Sequence, residues 1–177
     1  LFAREIVTRF HSAQAAERAV EIDPTCQASW REIATLHFFD RDLNGLRMAA
    51  ERTIALNPLN SAAVAYIGMM LAYAGDWERG VPVVRNSMDL NPQHPGWYHY
   101  VLVMDHYRKG EYEEALTQAK RANMPHFVWT PLSIAVAAGQ LSRTADARMA
   151  FDGLRKNHPD YLDTDRVRAH WSFWLWD

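Results

Sequence analysis

The chain has 177 residues, 49% of them hydrophobic, and a formal net charge of −2. This length can form one domain with a sizeable core. Because no basic stripe accompanies the balanced charge, we expect neither nucleic acid nor an anionic membrane surface as a partner. The sequence has no run of 18 or more apolar residues, so it predicts no membrane-spanning helix. The single cysteine, Cys26, excludes an internal disulfide and fits a reducing compartment, so we expect a cytoplasmic protein.

Three prolines recur 34 residues apart, at Pro24, Pro58 and Pro92, and each closes a similar phrase ending in Asp-Pro or Asn-Pro. A period of 34 residues is typical of helix-turn-helix repeats, which stack because no unit can bury its apolar face alone. The sequence therefore predicts an all-α fold, a right-handed superhelix of helical hairpins. A helix after the last repeat is expected to cap it.

In chain order, the pattern predicts one domain made of a half repeat, four full repeats and the capping helix. The predicted bounds are 1–24 for the half repeat, 27–60, 61–94, 96–127 and 128–160 for the repeats, and 163–177 for the cap. Small residues such as Gly68 and Gly80 fall where antiparallel helices must approach closely. Pro82 lies inside a predicted second helix, where we expect a late helix start or a local kink.

The leading half repeat would leave an apolar edge without a partner. We therefore expect the chain to be a piece of a longer protein. The residues of that edge are Leu1, Phe2, Ile6 and Phe10.

The sequence contains no phosphate-binding glycine loop, no His-Glu-x-x-His, no paired-cysteine metal site and no nucleophile elbow. We therefore predict no enzymatic activity and no cofactor. His99 and His106 are seven residues apart, with His94 nearby, which is compatible with a metal or small-ligand site. However, zinc needs three or four ligands, and these columns of the repeat hold large packing residues. We predict that the histidines pack and that no metal binds.

The first helices of the repeats are predicted to line an inner, concave surface. Residues one, five and eight positions after each large packing residue should face that surface. It is rich in aromatic residues and methionine, which suits an extended or helical peptide with apolar anchors. Alternatively, some members, Phe38 and Met104 among them, pack between repeats. The predicted groove residues are Arg31, Thr35, Phe38, Met69, Tyr73, Trp97, Tyr100, Met104, Tyr107, Arg108 and Trp129.

The last segment is rich in tryptophan. The helical spacing of Val167, Trp171 and Trp174 predicts one face that covers the last repeat, residues 128–160. Phe173 and Trp176 would then point away, and we expect them to contact a second copy of the chain or sequence that follows it. Alternatively, Phe173 and Trp176 fold back onto the second helix of the last repeat.

Over nearly its whole length the chain resembles the tetratricopeptide repeat family. More narrowly, residues 91–98, 107–115 and 125–143 resemble the carboxy-terminal repeat region of bacterial adenylate-cyclase-like and winged-helix regulatory proteins. The resemblance implies a non-catalytic protein-interaction module that regulates an effector domain. Tetratricopeptide domains that clamp the acidic end of a chaperone carry Lys and Asn on this face, and these are missing here. A homo-oligomerisation scaffold and a histidine-based ligand binder are the alternatives.

Overall fold

The computed structural model describes residues 14–176, and every regular element in that range is helical. Residues 14–22 are the described part of α1. The helices that follow are α2 (Gln27–Phe39), α3 (Leu43–Leu56), α4 (Ser61–Tyr73), α5 (Trp77–Leu90), α6 (Tyr98–Arg108), α7 (Tyr112–Ala122), α8 (Trp129–Gln140), α9 (Thr144–Asn157) and α10 (Thr164–Trp174). A 3-10 turn, Pro159–Leu162, separates α9 from α10. The prediction of an all-helical fold built from hairpins is confirmed.

The chain divides into two compact units, the first ending at Pro92 and the second beginning at Gln93. In the first unit α2 packs against α3, α3 against α4, and α4 against α5. In the second unit α6 pairs with α7 and α8 with α9, while α7 also packs against α8. The apolar edge predicted at the start of the chain lies outside the described residues. Among the described helices, none is long and apolar enough to cross a membrane.

In the first unit, glycine is needed at the turn between α4 and α5 and at the crossing of these two helices. Gly75 has a φ of +92°, which L side chains rarely adopt, and it turns the chain between α4 and α5. Gly68 and Gly80 lie where these helices cross, and a Cβ at Gly80 would be 2.4 Å from the Gly68 carbonyl oxygen. The crossing of α4 and α5 therefore depends on the missing side chains.

Part of the core of the second unit lies between α8 and α9. Val128, Leu132 and Leu154 form a buried cluster, with Tyr161 and Val167 packed against it. These two contacts join the 3-10 turn and α10 to the last hairpin. The capping role predicted for the terminal helix therefore has a physical basis in this cluster.

Pro82 lies inside a helix that begins at Trp77, so the expectation of a late helix start is wrong. The proline ring is exposed. A proline removes the hydrogen bond to the carbonyl four residues earlier, and on an exposed face water can bond that carbonyl instead. The helix therefore continues through this position.

Candidate functional site

An apolar pocket lies in the second unit between α6, α8 and α10. Its volume is about 290 Å³. The two α8 residues are four apart, and those of α10 recur at intervals of three or four, so each helix contributes one face. We call this cavity the α8 pocket. Its lining residues are Tyr107, Leu132, Val136, Thr164, Val167, Arg168 and Trp171.

The α8 pocket is held by the core on one side and is open on the other. Leu132 is buried in the core cluster, whereas Val136, one turn further along α8, is 37% exposed. Trp171 packs edge to face on Trp129, with ring centroids 4.9 Å apart. The amide of Gln140 donates to the Tyr107 hydroxyl at 3.2 Å. The pocket walls are thus set by contacts outside the pocket.

One charged side chain lies at the edge of this apolar surface. The Arg168 guanidinium pairs with Asp165 on the preceding turn of α10, at 3.1 Å, and both side chains are exposed. Such an exposed pair contributes little to stability, so the guanidinium can exchange this partner for another carboxylate. Chemically, the arrangement suits an apolar side chain that enters from solvent, with an acidic group at its flank.

Four of the predicted groove residues are buried: Phe38, Tyr73, Tyr100 and Met104. The Tyr100 side chain is 5% exposed, and its hydroxyl bonds that of Thr130 at 2.6 Å. Burial raises the pKa of this phenol. Side chains so enclosed have almost no surface to give to a ligand. We therefore reassign these four residues from ligand binding to packing between helices.

The remaining predicted residues of the first unit lie on α2 and α4 and are half-buried. Arg31 pairs with Glu32 at 2.6 Å, and the Thr35 hydroxyl donates to the Arg31 carbonyl at 2.9 Å. Met69 is the third of these residues. These side chains form a partly polar surface.

In the second unit, Trp97 is half-buried with its ring 4.3 Å from that of Tyr98. Trp129 packs against α10, with its ring centroid 4.9 Å from that of His170. Tyr107 is the member of the predicted set that lines the α8 pocket. The other lining residues were not predicted because the predicted groove included only Trp129 from the repeat 128–160. Those of α10 lie in the predicted cap, outside every repeat.

Arg108, another predicted groove residue, is tied to its own helix. Its guanidinium donates to buried Asp105 at 2.7 Å, and the Lys109 ammonium donates to the same carboxylate at 2.8 Å. Burial alone would raise the pKa of Asp105, but the two cations outweigh it and lower that pKa. Arg108 therefore neutralises a buried charge.

The histidines proposed as an alternative site make protein contacts. His99 bonds Gln118 at 2.7 Å, and its ring is 5.0 Å from that of His94. Burial lowers the pKa of His99. His106 bonds Glu111. Within residues 14–176, no group of three or more His, Cys, Asp and Glu side chains is placed to hold a metal ion.

The terminal aromatic residues divide between the core side and solvent. Asp163 caps α10 by accepting from the Asp165 amide at 2.9 Å, as the predicted helix start requires. Phe173 is 51% exposed and Trp176 is half-buried. The outward position predicted for Phe173 is thus present, whereas Trp176 is partly covered.

No protein-family model matches the sequence, and no curated relative matches it. Several solved structures share its fold. A crystal structure of MamA aligns with a TM-score of 0.71 and 14% identity, over 90% of this chain and 94% of that one. A second MamA structure gives 0.67 and 15%, over 86% and 85%. YrrB, described as a TPR protein with an unusual peptide-binding site, gives 0.65 and 13%, over 91% and 84%. The chain therefore has the fold of a tetratricopeptide repeat protein.

Proposed function

We propose that this chain is a non-catalytic protein-interaction module that binds a peptide segment of its partner at the α8 pocket. The observation that carries the proposal is the pocket itself, an open apolar cavity walled by Tyr107, Val136 and Trp171. Burying a side chain the size of Leu or Phe there is worth roughly 1.5–3 kcal/mol. A fold shared with a peptide-binding tetratricopeptide protein supports the same conclusion.

The peptide class follows from the lining. Aliphatic and aromatic walls favour a Leu, Met or Phe anchor, and Arg168 at the edge favours an acidic residue beside it. A random 12-residue peptide library, selected on the intact chain, tests this directly. We expect the enriched peptides to share one apolar anchor flanked by Asp or Glu.

We expect Val136→Asp to weaken binding of an enriched peptide by about tenfold or more, because it places a carboxylate at the apolar entrance. Val136 is partly exposed on α8, so the helix should be retained. Isothermal titration calorimetry measures the change. Met149→Asp on α9, at a side chain 73% exposed and outside the pocket lining, is the matched control. Equal affinities for both variants and the wild type would place the peptide site elsewhere.

We also propose that this module serves as the regulatory part of a larger bacterial signalling protein in the cytoplasm. The sequence resemblance to the repeat regions of adenylate-cyclase-like and winged-helix regulators supports this context. Sequencing the gene on the 5′ side of the Leu1 codon tests it, since a cyclase or winged-helix domain is expected there.

A second candidate function is homo-oligomerisation through the terminal aromatic residues. The observation in its favour is the exposure of Phe173 at the end of α10. We expect Phe173→Ser combined with Trp176→Ser to convert a dimer to a monomer of unchanged helicity, measured by light scattering and circular dichroism. An unchanged mass with a lower melting temperature would instead assign the pair to the cap.

A further inference from the structure

The strongest remaining feature is the way in which α10 is attached. This helix supplies four lining residues of the α8 pocket, yet none of its own residues is buried. The side chains packed against α8 and the core include Val167, His170 and Trp171. An element with few buried apolar contacts opens at a low free energy. One wall of the pocket is therefore its least firmly held part.

His170 is at the centre of this attachment. Its Nδ1 is 2.6 Å from the Tyr161 hydroxyl, and its ring is 4.9 Å from that of Trp129 on α8. The hydroxyl can donate to Nδ1 when that nitrogen carries no proton. Protonation turns Nδ1 into a donor, so the hydroxyl must then accept, and it places a charge in a partly buried contact.

Burial and the neighbouring charge both oppose protonation of His170. Among the described residues, α8 contributes Trp129, which does not titrate, and the 3-10 turn contributes Tyr161. From α10 itself Arg166 lies over the Tyr161 ring at 5.5 Å and pairs with Asp160 at 3.4 Å. Burial, and then the Arg166 charge, lower the pKa of His170 below its usual value of 6.5.

We propose that α10 is a pH-sensitive wall of the α8 pocket, which protonation of His170 loosens from α8. If the proposed function holds, peptide affinity falls together with the docking of this helix. The direction follows from linkage. A histidine whose pKa is lower in the docked state takes up its proton more readily when the helix is released. Docking is therefore complete above the free pKa and weakens as the pH falls below it.

Hydrogen–deuterium exchange of the intact chain at pH 7.5 and pH 5.5, corrected for the intrinsic exchange rate, tests the wall without any ligand. We expect protection of residues 164–174 to fall by about threefold or more at the lower pH, while α8 and α9 keep theirs. His170→Phe and His170→Gln should abolish this response. His126→Ala removes an exposed histidine of the same unit and should retain it.

Two results would contradict a pH-sensitive α10. One is equal protection of α10 at both pH values, and the other is the same loss of protection at pH 5.5 in both His170 variants. The affinity of an enriched peptide at the two pH values tests the link to binding. Released α10 with unchanged affinity would overturn that link. If no peptide binds even at pH 7.5, the proposed function has failed, and the exchange data alone still decide whether His170 controls α10.

Discussion

Gly80→Ala is expected to destabilise the first unit by about 3 kcal/mol, the upper range for adding a methyl group to a packed contact. The new Cβ would lie 2.4 Å from both the Ala72 nitrogen and the Gly68 oxygen. Both are backbone atoms of α4, so relief requires the two helices to separate. Thermal unfolding followed by circular dichroism should show the loss.

Gly139→Ala is the control for this substitution. Gly139 is also helical, but a Cβ there would meet nothing within 4 Å. Alanine favours a helix over glycine by about 1 kcal/mol, so this variant should be as stable as the wild type or slightly more so. Equal melting temperatures for Gly80→Ala and the wild type would show that α4 and α5 do not cross as described.

Tyr100→Ala is expected to lower the free energy of unfolding by about 3–5 kcal/mol, the cost typical of emptying a buried aromatic site. In the predicted peptide groove, by contrast, loss of the Tyr100 ring would weaken binding and leave the fold intact. Burial of the ring and its bond to Thr130 change that expectation. Chemical denaturation followed by circular dichroism measures this change in the free energy of unfolding.

Tyr100→Phe separates the ring from the hydroxyl. It keeps the packing volume but leaves the Thr130 hydroxyl without this partner, at a cost of about 1 kcal/mol. A stable Tyr100→Ala variant that fails to bind an enriched peptide would restore the residue to the binding surface.

The fold could be predicted because its signals are local and periodic. Prolines at a fixed spacing end helices, and Gly68 and Gly80 stand where two helices cross. The turn glycines Gly75 and Gly110 both have positive φ, and they separate α4 from α5 and α6 from α7. The residue required at such a position is set by the backbone of the same repeat. The sequence of one repeat is therefore enough to predict it.

The binding surface could be predicted only in part, because spacing gives the direction of a side chain from its own helix. It does not give how closely the next helix covers it. Tyr107 and Tyr100 were selected by the same rule, yet one lines the α8 pocket and the other is enclosed against Thr130. The residues from α10 belong to no repeat column. Their place on the pocket depends on how the terminal helix docks against Trp129.

Photo-crosslinking tests the central claim, that the α8 pocket binds the apolar anchor of a peptide, most directly. An enriched peptide carries benzoyl-phenylalanine at its anchor position, and mass spectrometry locates the attachment after irradiation. The structure predicts attachment at the lining residues of α6, α8 and α10, such as Val136 and Trp171. It also predicts that Val136→Asp lowers the yield whereas Met149→Asp does not. Attachment confined to α2 and α4 of the first unit would contradict the claim.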